Sequence, residues 1–117
     1  MLSRRLLRIK VVKALFAHLK SGADNMIATE KNLMASVDKA YDLYFQLLAL
    51  PVELAEYARS RQELARAKKL PTHEDLHPNT KFVDNAVIRL IANSDAVNDR
   101  LAARKLGWKT QPDLIRT

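Results

Sequence analysis

Two residue patterns in this sequence are of types and spacings that could do chemistry. The first is Arg4-Arg5-x-x-Arg8, extended by Lys10, Lys13 and Lys20, six basic residues before the first acid, Asp24. Guanidinium groups fork onto phosphate oxygens and stack on unpaired RNA bases. On a helix, at 100° per residue, Lys10, Lys13 and Lys20 share one stripe. Arg4 and Arg8 share another, with Arg5 between them near the helix start. Arginines at a helix N-terminus add to a backbone dipole that already favours anions. The expected large anion is nucleic acid, held by contacts that release counterions and therefore weaken with salt. The competing reading is a solvated cationic face, the usual fate of a charge run.

The second pattern is His73-Glu74-Asp75-Leu76-His77. It matches the string in which two histidines on one helical face hold zinc and the intervening glutamate acts as base. That chemistry needs both imidazoles on a rigid helix and a third ligand elsewhere. Pro71 stands two residues upstream and Pro78 directly follows His77, which disfavours helical geometry there. At most one helical turn fits, and no histidine follows His77. The preferred reading is an acidic surface turn, capped by Thr72, with Glu74 and Asp75 near its positive end.

Other catalytic constellations are missing from the sequence. Without cysteine there is no disulfide, thiolate zinc site or cysteine nucleophile. The two glycines, Gly22 and Gly107, are far apart, so no Gly-rich phosphate loop exists, and there is no Gly-x-Ser-x-Gly elbow. The carboxylates are scattered over expected solvent faces and single out no acid–base pair. His18 falls opposite the lysine side of the first helix and reads as a surface or half-buried histidine. Arg59, Arg61, Arg66, Lys68 and Lys69 form a second basic cluster, offset by Glu53, Glu56 and Glu63, and read as a solvated helix flank. The expectation is a non-enzymatic chain with no cofactor and no metal.

The elements that must position these residues follow from periodicity. Ser3 is a plausible N-cap, and Leu7, Val11, Leu15, Phe16 and Leu19 recur at helical spacing as a core-facing set. Ser21-Gly22 stops the helix, giving a first helix over 4–20. After a loop at 24–28, a second pattern starts at Thr29 and carries Leu33, Val37, Ala40, Tyr41, Tyr44, Leu47 and Leu48 on one apolar face. Pro51 either kinks this helix or begins a new one, and the pattern resumes from Val52 to Lys69. Residues 70–80, with Pro71 and Pro78, read as a loop. Asn79 or Thr80 is expected to cap a fourth helix carrying Phe82, Val83, Val87, Leu90 and Ile91. Ser94 starts a fifth that runs through Val97 and Leu101 to Leu106 and closes at Gly107, after which Trp108 tucks back onto the core. Thr110-Gln-Pro112-Asp113 has the form of a helix start. Because the sequence stops soon after it, the expectation is the N-terminal portion of a longer protein.

No segment alternates with period two and no Asn-Gly or Asp-Gly hairpin occurs, so the class is all-α, a bundle of about five helices. A length of 117 residues with 48% hydrophobic content fits one domain over 1–117. The net charge of +7 favours acidic partners. No apolar run is long enough to span a bilayer, and the absence of cysteine is compatible with a cytoplasmic setting.

The spacing Arg4-Arg5-x-x-Arg8-x-x-x-Val12-x-Ala14-Leu15-Phe16 resembles the opening helix of the NusB family of bacterial transcription antitermination factors, with Phe16 where tyrosine is usual. Leu43-Tyr44-Phe45-Gln46-Leu47-Leu48 is similar to the apolar third-helix region of that family. Lys39-Ala-Tyr-Asp-Leu-Tyr44 and Pro78-Asn-Thr-Lys-Phe-Val-Asp-Asn85 look like segments of its long members, which carry an extended N-terminal half. The resemblance covers most of the chain and rests on the order of these segments. It implies an all-helical bundle resembling the N-terminal part of the NusB fold. It further implies binding of boxA-like RNA, alone or with the ribosomal protein that acts as NusE. Arg4, Arg5 and Arg8 then occupy RNA-contacting positions, with Lys13 as a further candidate. Lys81-Phe82-Val83 resembles a Lys-Phe-Val segment that helps bind RNA near the family's C-terminus, here two helices earlier. A homo-oligomer stays open. The alternative function is a helical protein-interaction module whose basic face is solvated or meets an acidic partner.

Overall fold

The computed structural model describes residues 2–116, and among them every regular element is a helix. In chain order these are α1 (Arg4–Ser21), α2 (Met26–Arg66), α3 (His73–Leu76), α4 (Ala86–Ala92), α5 (Asp95–Arg104) and α6 (Pro112–Arg116). The chain divides into two compact units, Met1–Tyr44 and Phe45–Thr117, with the boundary inside α2.

The first unit is a helical hairpin. Ser3 Oγ accepts from the Leu6 N–H at 3.2 Å, satisfying one of the four donors a helix start leaves open. Gly22, at φ 62°, ends α1 in the left-handed conformation that a residue without Cβ adopts freely. The second helix starts at Met26, three residues before the expected Thr29. Asn25 is the reason: its Oδ1 accepts from the Ile27 N–H at 2.9 Å. Thr29 instead faces α1, where its hydroxyl meets His18 Nδ1 at 2.9 Å. Further along, the Lys10 ammonium donates to Ser36 Oγ at 2.6 Å.

The apolar set of α1 is not buried as the periodicity suggested. Leu7, Val11, Leu15, Phe16 and Leu19 are all exposed, and no residue of α1 is buried. The physical reason is the number of neighbours. Within its unit α1 meets one helix, so only the stripe of Lys10, Ala14 and His18 is half-covered.

In the second unit, α2 passes through Pro51 without a break, so neither a new helix nor an interruption occurs there. Proline in a helix interior costs about 3 kcal/mol. Tertiary packing offsets it: Ala49 and Ala55, on either side, are with Val83 the buried apolar residues among those described. Ala49 shares a hollow with Leu101 and Leu106. The helix ends at Arg66 rather than Lys69.

The fourth helix begins at Ala86, not at residue 80. Asn79 spends its Oδ1 on the Lys81 N–H at 3.0 Å, and the Asp84 N–H reaches the Thr80 carbonyl at 2.8 Å, so 79–84 is a turn. Asn85 is the actual cap, accepting from Val87 and Ile88. Ser94 is the N-cap residue of α5, yet its hydroxyl makes no capping bond. Asn98 braces the α4–α5 corner by donating to the Ala92 carbonyl at 2.9 Å. Helix α5 closes on Lys105 at φ 52°, two residues before the expected Gly107, with the Leu106 N–H bonded to the Leu101 carbonyl at 2.9 Å. Trp108 does turn back, donating from Nε1 to the Gln46 carbonyl at 2.8 Å. Pro112 and Asp113 open α6 as their types suggested.

Candidate nucleic-acid interface

The arginines stand where the cap places them. Ser3 starts the helix so that Arg4 and Arg5 are its first two residues and Arg8 follows one turn later. No acidic residue lies in this first turn. Arg4, Arg5, Arg8 and Lys13 line one open hollow of about 670 Å³, completed by Ile9 and Val12. Their angular positions put this hollow on the side of α1 away from Ala14 and His18, and so away from α2. The Lys68–Asp75 and Arg89–Asp84 salt bridges involve none of these four cations. The hollow therefore combines four positive charges with an apolar floor and no compensating carboxylate.

Two of the other basic residues of α1 are engaged locally. Lys10 is bonded to Ser36, and the Lys20 ammonium lies 5.9 Å from the Phe16 ring centroid. Lys81 is exposed and belongs to the second unit, in the 79–84 turn. Of the five candidate residues, the structure gathers the four on α1.

Periodicity puts Phe16 in the core-facing set and does not single out Val12, so a surface role for either is missed. Val12 is 65% exposed and Phe16 62% exposed, on the same side of α1 as Arg5. An accessible aromatic ring is a stacking platform for unpaired bases, and the cation beside Phe16 is Lys20. The available signal was the breadth of apolar residues around α1, more than one neighbouring helix can cover.

The His73–His77 string adopts the capped turn. Thr72 Oγ1 accepts from the Asp75 N–H at 3.2 Å, and the Asp75 carboxylate accepts from the Thr72 N–H at 3.0 Å, a reciprocal capping box. The Thr72 backbone N–H, followed by the Lys68 ammonium, holds the Asp75 carboxyl below its ordinary range. Helix α3 is only four residues long, and His77 lies beyond it at φ −125°, ψ 61°. The two imidazoles stack, 4.6 Å between centroids and 6° between planes, with their faces together. Among the described residues no group of three metal-ligating side chains is gathered. No helix among them is long and apolar enough to cross a membrane.

Comparison of the chain with protein-family models, with curated proteins and with solved structures returns no match.

Proposed function

We propose that this chain is a non-enzymatic RNA-binding module of the NusB antitermination type, with the N-terminal end of α1 as its phosphate-contacting edge. One observation carries the reading. Arg4, Arg5, Arg8 and Lys13 share an acid-free hollow beside exposed Val12, and none of the four is neutralised by a salt bridge among the described residues. Four cations around one hollow with no carboxylate among its lining favour an anionic partner. The order of segments resembling the NusB family narrows the anion to boxA-like RNA, with the ribosomal protein that acts as NusE as co-partner and a cytoplasmic setting. Lys81 stays a secondary candidate, a separate contact from the second unit.

The test is titration of a labelled boxA-like RNA and a scrambled RNA at several salt concentrations. Affinity is expected to fall as salt rises. Changing Arg4, Arg5 and Arg8 together to Ala should flatten the log–log salt slope by about 2, near 0.7 per lost single-strand phosphate contact. A preference for boxA over scrambled RNA supports the antitermination assignment. No measurable RNA affinity at low salt overturns it.

A further inference from the structure

A second surface of α1 faces α2 and adjoins the arginine hollow, with which it shares Ile9 and Lys13. Two adjoining hollows run along the seam between α1 and the first half of α2, of about 600 and 680 Å³. They share Leu6, Lys10, Asn32 and Ser36 and meet where the Lys10–Ser36 hydrogen bond crosses the seam. On α1 the groove extends from Leu6 to Ser21, roughly 22 Å at 1.5 Å per residue, the length of a four-turn helix. Its middle is floored by Ala14, Ala17 and Ala28, whose small side chains let a third backbone come close.

Three facts point to what lies in it. The hairpin is short of burial: no described residue of the first unit is buried, a deficit that a third helix packed in the seam would relieve. The ionic lining is of one sign, with Lys10, Lys13 and Lys39 on its walls and no acidic side chain in either hollow. Apolar and uncharged polar groups otherwise line the groove, including Leu33, Leu43 and Asn32, as suits a helix with one apolar face and hydrogen-bonding flanks.

We infer that the α1–α2 seam is a docking groove for an acidic amphipathic helix of a partner protein, about four turns long. Its apolar face lies on the alanine floor and its carboxylates meet Lys10 and Lys39, the two groove cations outside the arginine hollow. This is helix-in-groove recognition, in which apolar anchors supply affinity and the charges set choice of partner and orientation. A second copy of α1 is a poor occupant, because it would bring six basic residues and no acid to a cationic wall.

The probe is a pair of labelled 16-residue helical peptides with the same apolar face, one flanked by glutamates and the other by lysines, read by fluorescence anisotropy. The glutamate peptide is expected to bind at least tenfold tighter than its lysine twin. Lys39→Glu should weaken it about fivefold or more, and Ala17→Trp should block it by filling the groove. Both positions are exposed, and an unchanged circular dichroism melt verifies that each variant is folded. The Arg4/Arg5/Arg8 to Ala variant should retain the peptide while losing RNA, which separates failure of this inference from failure of the RNA reading. Equal binding of the two peptides, or no binding of either at 100 μM, overturns the proposal. So does loss of RNA rather than peptide in Ala17→Trp, or sedimentation showing a dimer that Ala17→Trp dissociates.

Discussion

The indole of Trp108 donates to the backbone carbonyl of Gln46 across 2.8 Å, joining residues 62 apart in sequence. The bond lands on α2 one turn before Pro51, next to the turn where proline removes a backbone donor. It pins the segment after α5 onto the long helix at its weakest point. Trp108→Phe keeps most of the apolar body and removes the donor. The expected loss is about 1 kcal/mol, or roughly 4 °C in melting temperature, read by thermal circular dichroism. An unchanged melt would mean the indole contributes through its bulk alone.

Pro51→Ala should stabilise the chain. The substitution restores a backbone donor and removes the ring clash, worth about 3 kcal/mol, and returns about 1 kcal/mol of conformational entropy to the unfolded chain. The net is a gain of roughly 2 kcal/mol, which a urea titration would show as a higher midpoint at constant slope. A lower midpoint would mean that packing around Ala49 and Ala55 depends on the proline ring.

Asn85 and Thr80 offer a direct contrast. Asn85 Oδ1 accepts two N–H groups at the start of α4, whereas Thr80 contributes its backbone carbonyl to the turn before it. Asn85→Ala is expected to cost about 1 kcal/mol and Thr80→Ala much less. Equal effects would place the functional helix start nearer residue 80.

Acid should release the Thr72–Asp75 turn. The Asp75 pKa is lowered from its ordinary value of 3.8 by the Thr72 backbone N–H and then by Lys68. A depressed carboxyl adds stability that is fully present above the unfolded value and is lost as pH falls through the folded one. The turn should therefore be constant at neutral pH and loosen only below about 4. The Thr72 amide resonance, which reports its bond to the carboxylate, is the measurement. Lys68→Ala should move its midpoint upward, toward the ordinary carboxyl value.

Lys105→Gly should stabilise α5. Lys105 holds a left-handed conformation at φ 52°, which costs a side-chain-bearing residue about 1 kcal/mol and glycine far less. A higher melting temperature, with the helical signal unchanged, is the expected result.

The local features of this chain were written in the sequence by itself. The Ser3 cap and the Thr72 turn depend on a side chain reaching backbone within three residues, and the Gly22 stop and Pro112 start on the backbone angles those residue types allow, so residue type and spacing suffice. The same holds for the arginine cluster, since helical period alone brings Arg4, Arg5 and Arg8 to one end of α1. Competition between equivalent local options was not legible: Asn79 and Asn85 are both able caps, and only the surrounding turn decides which one opens α4. Tertiary structure decided the rest. It carried α2 through Pro51, because packing at Ala49 and Ala55 and the Trp108 bond outweigh a local penalty. It also decided that the apolar residues of α1 are surface rather than core. Periodicity records that a helix has apolar faces, but burial depends on how many neighbours arrive to cover them, and within its unit α1 meets only α2.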